Sequence, residues 1–435
     1  MLVVGNVVGA GIFLVGADVA QLTQSAFAFL ALWLVGGAFA LSGALCNGEL
    51  GAMFPRGGGE YVYLSRAYGP SIGFLSGWTS FWIGFPGSIA TLAAGFARET
   101  AALTGTSTRA QSAIAMLAVA VLTAINAFGV RPGKWVQNVL SVAKLVAFAA
   151  ALVVGVVYAP APDSGGSLAG GAAGEHASSL AIALIPIYFA YSGWNAVTYV
   201  AGEMKDPKRD LGRALAIGTS ACVVLYVAVN GAFLRTLGIA GMRGVPNVAG
   251  AAAGRIFGAG GDRFVTALVI VAVLSSLQAT VQVGPRIYQA MAEDGLFLPS
   301  LARLHPRTRV PVHALVLQGI ISCALIGLGG FVGGKKPIFE VLLTFTTFAL
   351  VLFSVITVAA VFVLRWRSPD APRPFRTPGY PFTPALYVIG NVWVLYSVLA
   401  FGTKEAFVGL GIVLSGLPFY WYFRRARRRD PAHGG

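Results

Sequence analysis

The sequence predicts an all-α integral membrane protein with about twelve transmembrane helices. Of its 435 residues, 56% are hydrophobic and 11% are charged, whereas soluble domains carry about 25% charged residues. The apolar residues form long, charge-poor stretches of the length that a membrane-spanning helix needs, and no alternating ten-residue pattern suggests an outer-membrane barrel. The twelve stretches are 2–20, 27–54, 71–97, 111–129, 135–158, 178–203, 214–239, 262–290, 312–330, 338–364, 382–401 and 405–423.

The net charge of +15 comes from 31 basic and 16 acidic residues. In a soluble protein this excess would suggest nucleic-acid binding. If the N-terminus is placed inside, however, 21 basic residues fall on the inner side, nine on the outer side and Lys144 within the fifth span. This positive-inside bias predicts a multi-pass protein of the cell (inner) membrane with both termini in the cytoplasm. The basic tail would be attracted to anionic membrane lipid, and we expect no nucleic-acid partner.

Several kinds of chemical site are excluded by the positions of their residues. Cys46, Cys222 and Cys323 all lie in predicted spans, where they form neither an external disulfide nor a metal-binding pattern. The stretch 329–336 resembles a phosphate-binding loop but ends in Lys and follows no strand. We therefore expect no metal, no cofactor and no enzymatic activity. The start at Met1 has no basic region and is not a signal peptide, although its abruptness leaves an upstream start open.

The first span contains a segment that is a poor helix. Three glycines (Gly5, Gly9 and Gly11) fall within seven residues, and each costs about 1 kcal/mol relative to Ala in a helix. One interpretation is a packing face, since Gly5 and Gly9 match the small-xxx-small pattern. The other is an unwound segment that binds a ligand through freed backbone groups, which survive in a membrane only beside protein or a water-filled cavity.

The sixth span contains a second such segment. Residues 187–195 place Ser192, Gly193 and Asn195 among aromatic side chains, and Pro186 lies just upstream, where it removes a helical donor. Interrupted helices one and six are the pattern of a secondary transporter built from inverted repeats. A half-helix N-terminus favours a carboxylate, while free carbonyls suit an ammonium group. The two breaks together therefore predict a site for a zwitterion.

A few ionisable residues fall inside the spans. Lys144 lies deep enough in the fifth span to indicate either a coupling role or snorkelling of its side chain to the cytoplasmic face. Glu49 and Glu203 lie near the cytoplasmic ends of their spans. We expect them to form interfacial ion pairs with Arg56 or Lys205.

Several motifs resemble those of the amino acid–polyamine–organocation superfamily, and of the bacterial relatives of L-type amino acid transporters in particular. They keep the family's order along the chain and occupy residues 5–13, 55–61, 189–195, 203–207, 286–295 with 305–306, and 373–381. The resemblance implies a leucine-transporter-type fold of two inverted repeats with discontinuous helices one and six. The repeats would be residues 1–158 and 178–364, followed by two further helices in 382–423 and a basic cytoplasmic tail in 424–435.

The resemblance also implies a site. The substrate carboxylate would meet the N–H groups of Gly9, Ala10 and Gly11, and the amino group would meet the carbonyls of Val7, Phe189 and Ser192. Ala190 and Gly193 complete the expected binding set, Phe189 and Trp194 are expected gates, and Lys144 is expected to act in coupling. Ala10 replaces a Ser common in the family. Asn195 replaces the Glu of acid-resistance antiporters, which argues against a di-cationic substrate.

The function that follows is a proton-coupled symporter or exchanger of neutral L-amino acids that works by alternating access. The expected partners are the amino-acid substrate, membrane lipid and protons as the candidate coupling ion. Loop 98–110 contains no Cys, so a disulfide-linked heavy chain is not expected. Two alternatives remain: an amino-acid sensor that does not transport, and a sodium-coupled symporter, which a lysine in the ion site would oppose.

Overall fold

The computed structural model describes residues 11–157, 177–199, 201–204, 206–245, 247–258, 260–332, 338–401 and 405–429. Within these ranges the chain is helical and has no strand. The α-helices are α1 (Gly11–Leu14), α2 (Gly16–Leu22), α3 (Ala26–Met53), α4 (Glu60–Tyr68), α5 (Pro70–Thr79), α6 (Phe85–Thr104), α7 (Thr108–Ala127), α8 (Val130–Val157), α9 (Ala177–Tyr191), α10 (Ala196–Tyr199), α11 (Pro207–Met242), α12 (Val248–Phe257), α13 (Gly261–Val283), α14 (Pro285–Glu293), α15 (Val312–Val332), α16 (Ile338–Arg367), α17 (Phe382–Phe401) and α18 (Glu405–Arg429).

Each of the twelve predicted stretches contains a helix in its described part. Seven helical segments of the described residues are long and apolar enough to cross a membrane: Ala26–Met53, Pro70–Thr104, Ala110–Ala127, Pro207–Met242, Gly261–Glu293, Thr346–Arg367 and Phe382–Ala400. The all-helical class is therefore confirmed, and the molecule has the helices of a multi-pass membrane protein. The number of twelve spans and the inverted repeat remain predictions.

The third span is interrupted where the sequence shows no glycine cluster. Between α5 and α6 the residues Ser80–Gly84 form a π-helical turn. Pro86 follows at the start of α6, and a proline there can neither donate a helical hydrogen bond nor fit against the carbonyl four residues before it. The Ser80 carbonyl accepts the Phe85 N–H and also the Tyr288 hydroxyl of α14 at 3.1 Å. Ser80 and Gly84 of this turn line an internal cavity.

Helices α3 and α11 pack closely along most of their length. A glycine on α3 permits this approach, because a Cβ on Gly48 would lie 3.0 Å from the Gly212 Cα of α11. The interface is aromatic at its other end, where Trp33 contacts the rings of Tyr191 and Tyr226 at 5.9 and 5.8 Å between centroids. This packing fixes α9 and α11 against α3, and so holds the end of α9 in place.

Glu49 does not form the ion pair expected from its neighbours in the sequence. Its carboxylate instead accepts hydrogen bonds from Arg365 of α16 at 2.6 and 2.9 Å and from the Thr377 N–H at 2.7 Å, and Arg373 lies 3.4 Å away. The expectation of a partner close in sequence was wrong because the fold brings the ends of α3 and α16 together.

Arg56 pairs across the chain as well. Its guanidinium contacts Asp294 at 2.8 Å and Glu293 at 3.4 Å, and the Tyr61 hydroxyl donates to Asp294 at 2.8 Å. These contacts connect the loop after α3 to the end of α14. Lys205, the other expected partner, lies outside the described residues, and nothing is described of the Glu203 side chain.

Candidate functional site

Helix six is broken at the residues that the sequence indicated. Helix α9 ends at Tyr191, a turn occupies 192–195, and the chain resumes as the single turn of α10. Gly193 has a φ of +97°, in the left-handed region that residues other than glycine rarely adopt. Pro186 lies inside α9 without ending it. The break therefore results from Ser192 and Gly193 rather than from the upstream proline.

The hydrogen bonds at the break show which backbone groups are already satisfied. The Phe189 carbonyl accepts both the Ser192 N–H at 3.1 Å and the Ser192 hydroxyl at 2.7 Å, which fills its two lone pairs. The Ala190 carbonyl accepts the Tyr226 hydroxyl at 3.1 Å. No donor in the described part of the chain reaches the Ser192 carbonyl. A ligand ammonium could meet that carbonyl directly, but it could use Phe189 only after the Ser192 hydroxyl turned away.

The middle of the first span, at Gly11, lies directly against this break. Helix α1 begins at Gly11, and a Cβ at that position would overlap the Ala190 Cα. Only glycine allows the two segments to approach so closely. Val7, Gly9 and Ala10 belong to residues 1–10, which lie outside the described residues, so their expected contacts with a carboxylate remain predictions.

A cavity of about 140 Å³ lies between the break, the π-helical turn and the helices around them. A cavity of roughly 10–15 Å³ holds one water molecule, so this one has room for a small organic solute. Hydroxyl-bearing residues of three helices and of the π-helical turn line it: Ser80, Ser88, Ser276, Thr280, Thr347 and Ser354. Phe189, Phe85 and Leu92 contribute apolar surface. The cavity thus combines apolar walls with several polar groups, as small-molecule sites do.

Most of the described site residues come together in this cavity. Gly11, Phe189, Ala190, Ser192 and Gly193 all line it. Phe189 is buried, so its side chain forms part of the wall.

The predicted gate Trp194 also lines the cavity, but its ring packs elsewhere. A Cβ on Gly43 of α3 would lie 2.9 Å from the Trp194 ring, so the ring fills the space above that glycine. Trp194 is 7% exposed. Its expected role as a gate remains a prediction.

Lys144 lies away from the described cavity lining. Its side chain is fully buried in α8, at 0% exposure, and the Cys222 thiol of α11 lies close enough to affect its electrostatics. Snorkelling to the surface is therefore wrong for this residue, because a snorkelling side chain keeps its charged end in water. The buried position leaves the coupling interpretation open.

The sequence interpretation missed Glu60, the first residue of α4. It lines the cavity and is 5% exposed, and its carboxylate accepts a hydrogen bond from the Asn195 amide at 3.2 Å. Helix α4 is not among the segments long and apolar enough to cross a membrane. Burial raises the pKa of Glu60 to about 7, an effect that the Asn195 hydrogen bond opposes. Its position in a loop motif gave no sign that the fold would direct it inward.

Comparison with known proteins agrees with this architecture. The family model described as amino acid permease matches residues 1–418. The serine/threonine exchanger SteT of Bacillus subtilis (strain 168) is 32% identical over 436 residues, covering 98% of this chain and 95% of its own length. The b(0,+)-type amino acid transporter 1 of Rattus norvegicus is 29% identical, with 97% and 86% covered. The large neutral amino acids transporter small subunit 2 of Homo sapiens is 27% identical, with 97% and 78% covered.

These relatives are amino acid transporters, and the match extends over nearly the whole chain. The resemblance predicted from the motifs is thereby confirmed. The family is one of membrane transporters rather than enzymes, which agrees with the apolar helices of the structure. The chain belongs to the amino acid permease family of the amino acid–polyamine–organocation superfamily.

Proposed function

We propose that this protein is a secondary active transporter of neutral L-amino acids that works by alternating access around the interruptions in helices one and six. The observation that carries the proposal is the cavity at the break after Tyr191, against which Gly11 packs. Broken helices around a central site are the arrangement in which such transporters bind substrate.

The chemistry of the cavity supports a neutral side chain on the substrate. Glu60 is the one charged residue among the described residues that line the cavity. The other lining residues are apolar or carry a hydroxyl or amide group. A small hydroxyl-bearing or aliphatic side chain could be satisfied there without burying an unpaired charge. The name of the exchanger SteT includes serine and threonine, which agrees with this size and polarity.

The ends of the substrate would be held by backbone groups. The Ser192 carbonyl is available to an ammonium group, and the N–H groups of Gly9, Ala10 and Gly11 would meet the carboxylate. Val7 would offer a further carbonyl, as would Phe189 once the Ser192 hydroxyl had turned away from it, and the Phe189 ring would cover the bound substrate. Movement of the two interrupted helices relative to their neighbours would then expose the site to one side of the membrane at a time.

Lys144 supports proton coupling or exchange over sodium coupling. A fixed ammonium in an ion site excludes sodium by like-charge repulsion, and a buried lysine is costly enough in a membrane to indicate function. Exchange is further supported by the name of SteT. A sensor that does not transport would bind substrate in the same cavity and show no flux.

We further propose that the protein resides in the cell (inner) membrane with both termini in the cytoplasm, without a disulfide-linked partner. The distribution of Lys and Arg supports the orientation. Cys46 and Cys222 are buried and Cys323 is half-buried within helices, where none is placed for an external disulfide. The relative called a small subunit motivates testing this point by non-reducing electrophoresis.

The purified protein reconstituted into proteoliposomes tests the proposal. Labelled neutral L-amino acids are offered to vesicles with and without internal unlabelled amino acid, and with and without a pH gradient. We expect uptake to depend on internal amino acid if the protein exchanges, and on the gradient if it is a proton symporter. Binding without any uptake would support the sensor instead. Uptake that requires sodium would contradict the role of Lys144.

A further inference from the structure

Three carboxyl groups of the described residues are almost completely buried: those of Glu49, Glu60 and Glu99. Two of them have arginine partners, since Glu49 pairs with Arg365 at 2.6 Å and Glu99 with Arg98 at 3.3 Å. Within the described ranges, no Lys, Arg or His forms an ion pair with Glu60. A buried carboxylate without a cationic partner is unstable, so Glu60 needs a positive charge that the surrounding side chains do not supply.

A positive charge, such as a proton, can reach Glu60 from the cavity. The carboxyl lines the cavity wall, and its hydrogen-bond donor is Asn195, which belongs to the break in helix six. The Asn195 amide is also 3.4 Å from the Tyr199 hydroxyl of α10. The Asn195 amide therefore joins Glu60 of α4, at the cavity wall, to Tyr199 of α10, which follows the break.

The other titratable groups near Glu60 leave its charge uncompensated. Three tyrosines lie near enough to interact with it electrostatically: Tyr63 of α4, Tyr199 of α10 and Tyr387 of α17. A tyrosine phenol is neutral at pH 7, so none of them supplies a positive charge. From α16, Arg367 donates to the Ala67 carbonyl at the far end of α4. Arg56, on the loop before α4, has Asp294 and Glu293 as partners.

We propose that Glu60 is a proton-binding residue of the transport cycle, which takes up a proton from the cavity and thereby loosens the contact between α4 and the break in helix six. The inference rests on the proposed transport function. The ionised carboxylate accepts a charge-assisted hydrogen bond from Asn195, which is roughly twice as strong as a neutral one. Protonation weakens that bond, so the segment after the break moves more readily when Glu60 is neutral.

The sign of the pH dependence follows. Burial raises the pKa of Glu60 to about 7, so the residue is protonated below that pH and ionised above it. Exchange measured at equal pH on both sides should therefore speed up as the pH falls from about 8.5 to about 5.5, a range that includes this pKa. Glu60→Gln resembles the protonated form, and its exchange rate should stay high and flat across the range.

The experiment combines transport with infrared spectroscopy of the reconstituted protein. A pH step should produce a carboxylic-acid band that Glu60→Gln loses and that Lys144→Ala retains. Glu99→Gln is the matched control, because it removes a buried carboxyl that lies outside the cavity lining, and it should retain both the band and the pH profile of exchange.

The outcomes separate this inference from the proposed function. If Glu60→Gln shows the same carboxylic-acid bands as the unaltered protein after the pH step, Glu60 does not bind the proton and the inference is wrong. A pH profile of exchange identical to that of the unaltered protein would overturn it as well. If labelled L-lysine exchanges and Glu60→Gln alone stops it, the carboxylate serves a cationic substrate and the inference is wrong. Absence of all exchange in the unaltered protein would instead contradict the transporter, while the infrared band would still report on Glu60.

Discussion

The burial of Lys144 changes what can be expected of that residue. Its side chain is buried in α8, with Cys222 of α11 in its electrostatic environment, and does not reach the surface. Burying an ammonium costs several kcal/mol even after the protein relaxes around it. An apolar side chain would fill a purely structural position in α8 at lower cost, so a buried amino group there supports a function in coupling.

Replacing Lys144 tests that function directly. Lys144→Ala should remove the response of uptake to an imposed pH gradient, because the buried amino group that would release a proton and take it up again is absent. Uptake into proteoliposomes with and without the gradient measures the effect, and Lys134→Ala, earlier on the same helix and exposed, is the control. An unchanged response in Lys144→Ala would refute the coupling role.

Phe189 is expected to affect transport more than binding. The ring forms part of the cavity wall, and as a cover it would act when the site closes over the substrate. Phe189→Ala should lower the maximum exchange rate by about tenfold while changing substrate affinity by less than about threefold, the pattern of an interaction made mainly during the conformational change. Equal losses in rate and in equilibrium binding, measured on purified protein, would count against a lid.

At the scale of the helices, the break after Tyr191 depends on a single backbone conformation. Gly193 has a φ of +97°, which costs other residues about 1–2 kcal/mol. Gly193→Ala should therefore lower both thermal stability and exchange. Gly231→Ala is the matched control, because a Cβ there meets nothing within 4 Å and alanine is the better residue in a helix. Equal stability and exchange in the two variants would show that the break tolerates an ordinary residue.

The ion pairs that join helix ends should differ in their effect on stability. Glu49 is buried between Arg365 and Arg373, so Glu49→Gln should destabilise the protein by about 3–5 kcal/mol by leaving buried charge uncompensated. Glu293 pairs with Arg56 where both side chains are 44% exposed, and Glu293→Gln should cost about 1 kcal/mol or less. Unfolding midpoints in detergent compare the two, and a larger loss for Glu293→Gln would contradict the structure.

The sequence predicted the elements better than their contacts. The break in helix six could be predicted because Ser192 and Gly193 are poor helix residues in an apolar stretch. The π-helical turn at Ser80–Gly84 could not, since its cause is the combination of Pro86 with the hydroxyl of Tyr288, over two hundred residues away. The inward position of Glu60 was missed for the same reason: only the tertiary fold brings α4 to the cavity.

At the scale of the whole molecule, composition and the length of the apolar stretches predicted the helical membrane class. A chain with 56% hydrophobic and 11% charged residues has too few charged residues for a soluble domain. The family match over residues 1–418 agrees with that class. The orientation of the protein in the membrane depends on which loops carry Lys and Arg.

Cysteine labelling tests the orientation. In a protein whose three natural cysteines are replaced, Ser107→Cys in the loop between α6 and α7 should react with an impermeant maleimide from outside the cell. Ala426→Cys near the end of α18 should react only after permeabilisation. Both positions are exposed, so access depends on the side of the membrane. The reverse pattern of labelling would contradict cytoplasmic termini.

Counterflow in proteoliposomes tests the central claim most directly. Vesicles loaded with an unlabelled neutral L-amino acid and diluted into a trace of the labelled form should accumulate label transiently, because exchange proceeds through one alternating site. Vesicles without protein, or without internal amino acid, should not show this transient. If no neutral amino acid tested produces counterflow above that background, the protein does not exchange amino acids at this cavity.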